Sequence, residues 1–348
     1  MTRQVNVGDV KIGGGAKISV QSMTNTDTRD TVATLNQINA LHAAGCDIVR
    51  VSVYDEECVK SVKALVDKSP VPLVADIHFN HRLAIAAAEA GIHKVRINPG
   101  NIGGEANVRE LADCLKAHHI PVRIGVNSGS VEKDILARYG GVTAAGLTES
   151  ALNHVCMLEK CGFYDIVISV KASSPRLTVE TNRLLAQQCD YPLHIGVTEA
   201  GSSGMGNIKS AIGIGALLLD GIGDTIRVSL TGDPVNEVYA GIEILKAVGI
   251  RNEGINIVSC PTCGRTCIPV GDIADKVRRA CAHIKTPLTV AVMGCVVNGP
   301  GEAREADMGI AGGKDGGVLF VKGEAPRTVR GDLAGELINE IIKRTGGK

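Results

Sequence analysis

Tryptophan is absent from this 348-residue chain, and three Phe and five Tyr are its only benzenoid side chains. Its cores must therefore be aliphatic, built from Val, Ile, Leu and Ala. Net charge is absent too: 37 Lys and Arg balance 37 Asp and Glu, so no overall basic field draws the chain to nucleic acid or to a membrane surface. There is no run of about 18 apolar residues to suggest a membrane span. Met1-Thr2-Arg3-Gln4 leads into a polar, Gly-rich segment rather than an apolar leader, so a cytoplasmic location is expected. Disulfides are not expected, because the eleven cysteines are odd in number and the cytosol keeps thiols reduced. Most of them should be small buried hydrophobes, which leaves the question of which are not.

What is present is aliphatic residues and glycine: 44% hydrophobic residues and 42 Gly. The length suits one large domain and one small one. From about residue 17 to 230 a β-branched run, a polar tip and a helical stretch recur. The strand candidates are Lys17–Met23, Cys46–Val53, Val71–Ile77, His93–Ile97, Pro121–Val126, Asp165–Lys171, Pro192–Thr198 and Asp224–Leu230. Eight such units in about 250 residues is the pattern of a (β/α)8 TIM barrel. An open doubly wound sheet would share the local pattern, but no Gly-rich fingerprint follows Met23. Val5–Val10 and Ala16–Val20, with Gly13-Gly14-Gly15 between them, are expected to form a hairpin at the barrel's bottom. Two helices, Val131–Tyr139 and Thr148–Cys161, are expected between the fifth and sixth strands. A helix over Asn236–Ala247 should complete the barrel, giving a first domain of residues 1–248. Residues 249–348 read as a smaller α+β domain, with strands Ile255–Val258, Leu288–Met293, Met308–Ala311 and Val318–Val321 and helices Ile273–Ala282 and Asp332–Arg344.

In that second domain Cys260-Pro-Thr-Cys263-Gly-Arg-Thr-Cys267 follows one strand, and Met293-Gly-Cys295-Val-Val-Asn-Gly-Pro-Gly-Glu302 follows another. A Cys-x-x-Cys turn sets two thiolates on one side of a loop, and a third from a neighbouring strand end fills another corner of an iron–sulfur cubane. The Gly-Pro-Gly turn can bring Glu302 back as a weaker oxygen ligand. Buried structural cysteines, a redox dithiol and a zinc site with Cys267 as fourth ligand remain as alternatives. The run Cys-x2-Cys-x3-Cys reverses the spacing used by radical adenosylmethionine enzymes.

Catalytic groups on a barrel sit at the C-terminal ends of its strands. Those ends supply Arg50, Asp76 with His78, Arg96 with Asn98, Arg123 with Asn127, Lys171, Thr198-Glu199, and Arg227 with Ser229. Four arginines and a lysine converging on one mouth would repel one another unless an anion lay between them, and guanidinium groups suit the paired oxygens of a diphosphate. Asp76 and His78 read either as an acid–base pair or as partners that orient Arg96. Glu199 reads either as a general acid or as a partner of a neighbouring cation.

Five segments carry a resemblance that runs almost end to end: Ser19-Val-Gln-Ser-Met-Thr-Asn25, Val95-Arg-Ile-Asn-Pro-Gly-Asn101, Arg123-Ile-Gly-Val-Asn-Ser-Gly-Ser130, Ser259-Cys-Pro-Thr-Cys-Gly-Arg265 and Met293 through Glu302. The chain resembles the bacterial two-domain 4-hydroxy-3-methylbut-2-enyl diphosphate synthases. The resemblance implies a TIM barrel joined to a domain like the cluster half of sulfite and nitrite reductases. It implies a [4Fe-4S] cluster on Cys260, Cys263, Cys295 and Glu302, leaving Cys267 a bystander. The implied reaction is the reductive ring opening and dehydration of 2-C-methyl-D-erythritol 2,4-cyclodiphosphate in isoprenoid biosynthesis. Arg50, Arg96, Asn98, Arg123, Asn127, Lys171, Thr198, Arg227 and Ser229 would hold the diphosphate, with Glu199 and Glu302 as catalytic residues. A flavodoxin or ferredoxin would supply electrons, and the cluster domain of one subunit would cover the barrel of its partner in a homodimer. The competing reading is another barrel enzyme acting on a phosphorylated substrate, with a structural zinc domain.

Overall fold

The computed structural model describes residues 1–98, 100–295 and 305–346, and the chain divides into two compact units, Met1–Val248 and Gly249–Lys348. The first opens with a hairpin of β1 (Val5–Val7) and β2 (Val10–Ile12), paired so that Val7 faces Val10. This hairpin is tighter than the sequence suggested. Its turn is Gly8-Asp9 rather than the glycine triplet, because Gly8 takes the left-handed conformation (φ +57) that a two-residue hairpin turn needs. Val5, Val7 and Ile12 pack on Ile48, Val74 and Val167, near the starts of three barrel strands, and so plug the barrel's N-terminal end.

The barrel strands are β3 (Ser19–Met23), β4 (Ile48–Ser52), β5 (Leu73–Asp76), β6 (Lys94–Ile97), β7 (Val122–Asn127), β8 (Ile166–Lys171), β9 (His194–Ile195) and β10 (Thr225–Ile226). They pair in parallel in the order β8-β7-β6-β5-β4-β3-β10-β9. A parallel bridge between Ile168 and Leu193 joins β8 to the approach of β9, so the sheet returns on itself and the open alternative is excluded. The last two strands are shorter than their β-branched runs. Past Ile195 and Ile226 the chain leaves the ladder and bends into the barrel mouth. The helices Asn236–Ala247, Val131–Tyr139 and Thr148–Cys161 expected from the sequence run Val235–Ala247, Lys133–Tyr139 and Ala144–Glu159.

Alternation along each strand sorts the side chains into two classes. Val49 and Val51, Leu73 and Ala75, Val95 and Ile97, and Val122, Ile124 and Val126 join the aliphatic core beneath the helices. The residues between them point into the barrel, and many are polar: Arg50, Asp76, Lys94, Arg96 and Arg123. Barrel interiors are usually filled with bulky branched residues, so the polar interior marks where this barrel departs from simple packing.

The second unit holds a five-stranded sheet, β11 (Ile255–Ser259), β12 (Leu288–Met293), β13 (Met308–Gly313), β14 (Gly316–Val321) and β15 (Arg327–Val329), in chain order. The first three strands are parallel and the rest antiparallel. Helices Val270–Ala280 and Leu333–Thr345 bury Ile273, Val277, Leu337 and Ile341 against Val290, Val292 and Ile310. The sequence did not disclose β15, a three-residue edge strand too short for periodicity to register.

Candidate functional site

At the C-terminal ends of the barrel strands lies a cavity of about 150 Å³, lined by Arg50, Asp76, His78, Arg96, Arg123, Gly125, Asn127, Ser169, Lys171, Thr198, Arg227 and Ser229. All five strand-end cations therefore share one space. Asn98 and Glu199 do not line it. Asn98 is buried, and its Oδ1 accepts the Gly100 N–H at 3.1 Å. Glu199 is exposed in the loop after β9 and sits at φ +52, a strained backbone for a residue with a Cβ.

Asp76 is the hub. Its carboxylate accepts hydrogen bonds from Arg96 Nη1 at 3.1 Å and from His78 Nε2 at 3.2 Å, and lies 3.9 Å from Arg50 Nε. Burial alone would raise its pKa. The Arg50 charge, the His78 hydrogen bond and the Arg96 charge outweigh that and hold the carboxyl well below the usual range. Asp76 thus orients two cations and is locked in its ionised form. Arg50 also directs Nε and Nη2 at the Met23 sulfur, at 3.0 and 2.7 Å. Burial, reinforced by the Arg227 and Arg96 charges against the pull of Asp76, lowers its pKa to about 10.

Arg227 is held differently. Its Nε and Nη2 each donate to one oxygen of Glu237 at 3.2 Å, and Glu237 also accepts from Ser22 Oγ at 2.9 Å and from the Leu230 N–H at 3.0 Å. Glu237 lies in the first turn of the helix Val235–Ala247 and was missed by sequence reasoning, which looked only at strand ends. Glycines carried a readable signal. A Cβ on Gly125, in mid-strand, would collide with the Arg96 guanidinium, and one on Gly196 would meet Lys171 Nζ and the Arg227 carbonyl. A glycine inside a strand marks such a close approach.

Arg123 is the group without support. It is 2% exposed, and its Nε and Nη1 have no hydrogen-bond partner among the described residues. Burial, then the Arg50 and Arg96 charges, pushes its pKa well below the ordinary value, and burial with the Arg123, Arg227 and Arg50 charges does the same to Lys171. Arginine does not give up its proton in proteins, so the downward push measures how unfavourable the uncompensated charge is. Five cations face two carboxylates, Asp76 and Glu237, both already engaged. The cavity is electrostatically incomplete until an anion with several oxygens enters it.

In the second unit, Cys260 follows β11 and Cys295 lies two residues beyond β12, at the same end of adjacent parallel strands. The Gly294 N–H donates to Cys260 Sγ at 3.1 Å, the kind of bond that stabilises a thiolate. Cys263 is exposed, its backbone N–H donating to Thr266 Oγ1 at 3.1 Å. Cys267 is tied through its backbone, its N–H donating to the Gly294 carbonyl at 2.8 Å, while its thiol points to the Arg265 carbonyl at 3.3 Å. Every cysteine is free, and Glu302 lies outside the described residues. Among the described residues no three His, Cys, Asp or Glu side chains are gathered around one ion's position. Three free thiols on two adjacent loops, with a backbone N–H aimed at one sulfur, fit a cubane as a donor set.

The profile of the GcpE TIM-barrel domain matches residues 2–242, and that of the GcpE protein C-terminal domain matches residues 256–344. Proteins named 4-hydroxy-3-methylbut-2-en-1-yl diphosphate synthase (flavodoxin) are similar over nearly the whole chain. The one from Caldanaerobacter subterraneus subsp. tengcongensis is 57% identical over 99% of this chain and 97% of its own. That from Geobacter sulfurreducens is 57% identical over 98% and 97%. Among solved structures, dihydropteroate synthases from Stenotrophomonas maltophilia (TM-score 0.51) and Yersinia pestis (TM-score 0.50) are each 15% identical, covering 71% of this chain and 98% of theirs. At that identity they share the barrel fold alone. The two-domain match and the near-complete coverage at more than half identity place this chain in the GcpE family, among the 4-hydroxy-3-methylbut-2-en-1-yl diphosphate synthases.

Proposed function

We propose that this chain makes 4-hydroxy-3-methylbut-2-enyl diphosphate by reductive ring opening and dehydration of 2-C-methyl-D-erythritol 2,4-cyclodiphosphate, with flavodoxin as the electron donor. The observation that carries the reading is the buried, unpartnered Arg123, one of five inward cations sharing a cavity, in a chain whose relatives carry this activity in their names. The Asp76 hub presents Arg50 and Arg96, and Glu237 presents Arg227, so the cations are positioned before the diphosphate arrives. Prepaid orientation of this kind lets the same groups stabilise charge that builds on the diphosphate as the ring opens. Asn127, Thr198 and Ser229 supply neutral hydrogen-bonding groups in the same cavity, and Asn98 supports the loop beside it. Glu199, strained and exposed next to Thr198, is proposed to give a proton to the carbon skeleton.

A [4Fe-4S] cluster held by Cys260, Cys263 and Cys295, with Glu302 as an exchangeable fourth ligand, would supply low-potential electrons and a Lewis-acidic iron. The family match across both domains disfavours the reading with a structural zinc domain. Cytoplasmic location accords with the absence, among the described residues, of any helix long and apolar enough to cross a membrane. A homodimer is proposed as well. The helix Ser203–Leu219 leaves Met205, Ile208, Ile212 and Leu219 more than half exposed, an apolar stripe that a second copy would cover. The test is anaerobic turnover of the cyclodiphosphate with a chemical reductant, comparing the wild type with Glu302→Ala. Brown protein that bleaches with dithionite and turns over, with the variant strongly impaired, is the expected result. Colourless protein holding stoichiometric zinc would overturn it.

A further inference from the structure

Below the cavity the barrel interior contains a second polar layer that substrate binding does not use. His194, Thr225 and Ser19 stand side by side in register across β9, β10 and β3. Lys94 points inward from β6, two residues before Arg96, and Gln21 from β3. Lys94 and His194 have no exposed surface at all. The Lys94 Nζ, both ring nitrogens of His194, the Gln21 amide, Ser19 Oγ, Thr225 Oγ1 and two nitrogens of Arg123 all lack hydrogen-bond partners among the described residues. So many orphaned polar atoms in one closed layer call for internal water. Branched aliphatic residues would fill this level without that requirement.

The layer's charge balance is one-sided. His194 faces Lys171 from β8, Arg123 from β7, Lys94 from β6 and Arg50 from β4. Lys94 faces Arg123 and Arg50. The remaining strands add Arg227 from β10, Asp76 from β5 and only neutral groups from β3, and the helix behind β10 adds Glu237. Both carboxylates are taken up by the cavity arginines. With no anion above them, burial and these neighbouring cations push the pKa values of Lys94 and His194 down, disfavouring their charged forms. A diphosphate in the cavity offsets most of the positive charge that they feel.

We propose that Lys94 and His194 form a buried proton-accepting layer beneath the cavity, loaded from solvent through the internal water when the diphosphate binds. The proposal rests on the diphosphate reading of the cavity. A reaction that adds electrons and eliminates water consumes protons, so a proton taken up on binding arrives where demand will follow. Lys94 and His194 are positioning residues for that proton and touch no substrate atom.

Calorimetric titration of the full chain with inorganic pyrophosphate, in buffers of different ionisation enthalpy, reads the proton uptake. The wild type should take up protons, and Lys94→Met and His194→Asn should each lower the uptake by up to roughly one proton while still binding pyrophosphate. The wild-type-minus-variant difference cancels any proton that pyrophosphate itself carries. Uptake undiminished in both variants overturns the proposal and assigns the proton to Lys171 or the ligand. Binding without uptake in the wild type overturns it too, but leaves the diphosphate site standing. No binding in the wild type brings down both. Lys94→Met should not unfold the protein, because an aliphatic chain suits that level of a barrel. If neither variant folds, side-chain ¹⁵N spectra of the wild type decide: the imidazole assigned to His194, as distinct from that of His78 in the cavity, should pass from neutral to protonated on pyrophosphate addition, and its staying neutral refutes the layer.

Discussion

The barrel mouth and the cysteine loops are both sites waiting for a partner, but they wait in opposite ways. In the mouth the working groups are buried and, Arg123 apart, largely braced: Asp76 is 5% exposed, Arg96 8% and Glu237 4%, and each of these is bonded to another member of the set. In the loops Cys263 and Cys267 are exposed, Cys295 is half-buried, and the bonds that shape the turn are chiefly made by the backbone. The contrast follows from the bonds each site must form. Diphosphate recognition depends on many weak contacts, so it gains from preorganisation. Metal–thiolate bonds are strong enough to order the loops that supply them.

The comparison breaks most sharply if the loops prove to be preorganised or the mouth proves to need its ligand to form. Cys295→Ser removes one of three proposed thiolate ligands. It should abolish activity and the brown absorbance, while calorimetric unfolding of the barrel stays unchanged; retained iron in this variant would break the contrast. Next in size, Arg123→Met should lower kcat/KM by about 10²–10³, as loss of a preorganised charge donor does. Because the arginine is unpartnered when the cavity is empty, the same variant should unfold at an equal or higher temperature than the wild type. A loss of both activity and stability would show that Arg123 is already satisfied without ligand.

Asp76→Ala should do the reverse, lowering stability by about 3–5 kcal/mol because Arg50 and Arg96 lose their buried partner. The pH dependence has a definite sign. The folded Asp76 carboxyl titrates below its unfolded value, so its contribution is complete above the ordinary carboxylate range, about pH 4, and shrinks as the pH falls below it. Urea unfolding of the wild type should therefore weaken progressively below about pH 4, and the variant should lose that part of the slope. A smaller effect is expected of Gly125→Ala, at about 1–3 kcal/mol, since the added methyl must displace the Arg96 guanidinium.

Much of this was legible in the sequence because a parallel barrel writes its geometry into alternation. Once eight β-branched runs are found, the inward residues toward each C-terminal end line the mouth, and that rule reached Arg50, Arg96, Arg123, Lys171 and Arg227 without coordinates. It failed where support comes from off the sheet. Glu237 sits on a helix, and nothing in its neighbourhood distinguishes it from a solvated glutamate. It also said nothing of the direction of Glu199, four positions past the end of β9, because that direction depends on a left-handed backbone that no propensity discloses. The polar layer of Lys94 and His194 was visible as residues but not as a layer, because register between strands distant in the chain fixes which residues share a level.

The smallest expected effect is the one that tests how the loops are read. Cys267 lies four residues past Cys263, and by spacing alone it competes for a ligand position. Its backbone N–H binds the Gly294 carbonyl, and Gly294 in turn donates to Cys260 Sγ, so its main chain helps to join the two loops. Its sulfur does something else, pointing to a carbonyl of its own turn. Serine keeps the main chain and offers a comparable hydroxyl donor. Cys267→Ser should therefore leave iron content and turnover at wild-type levels and shift stability by no more than about 0.5 kcal/mol. A variant that loses iron would make the Cys267 side chain a ligand and would reopen the identity of the fourth corner. Cys267→Pro, which deletes the N–H that binds Gly294, should be the damaging substitution at this position, since it removes the hydrogen bond that ties the loop after β11 to the loop after β12.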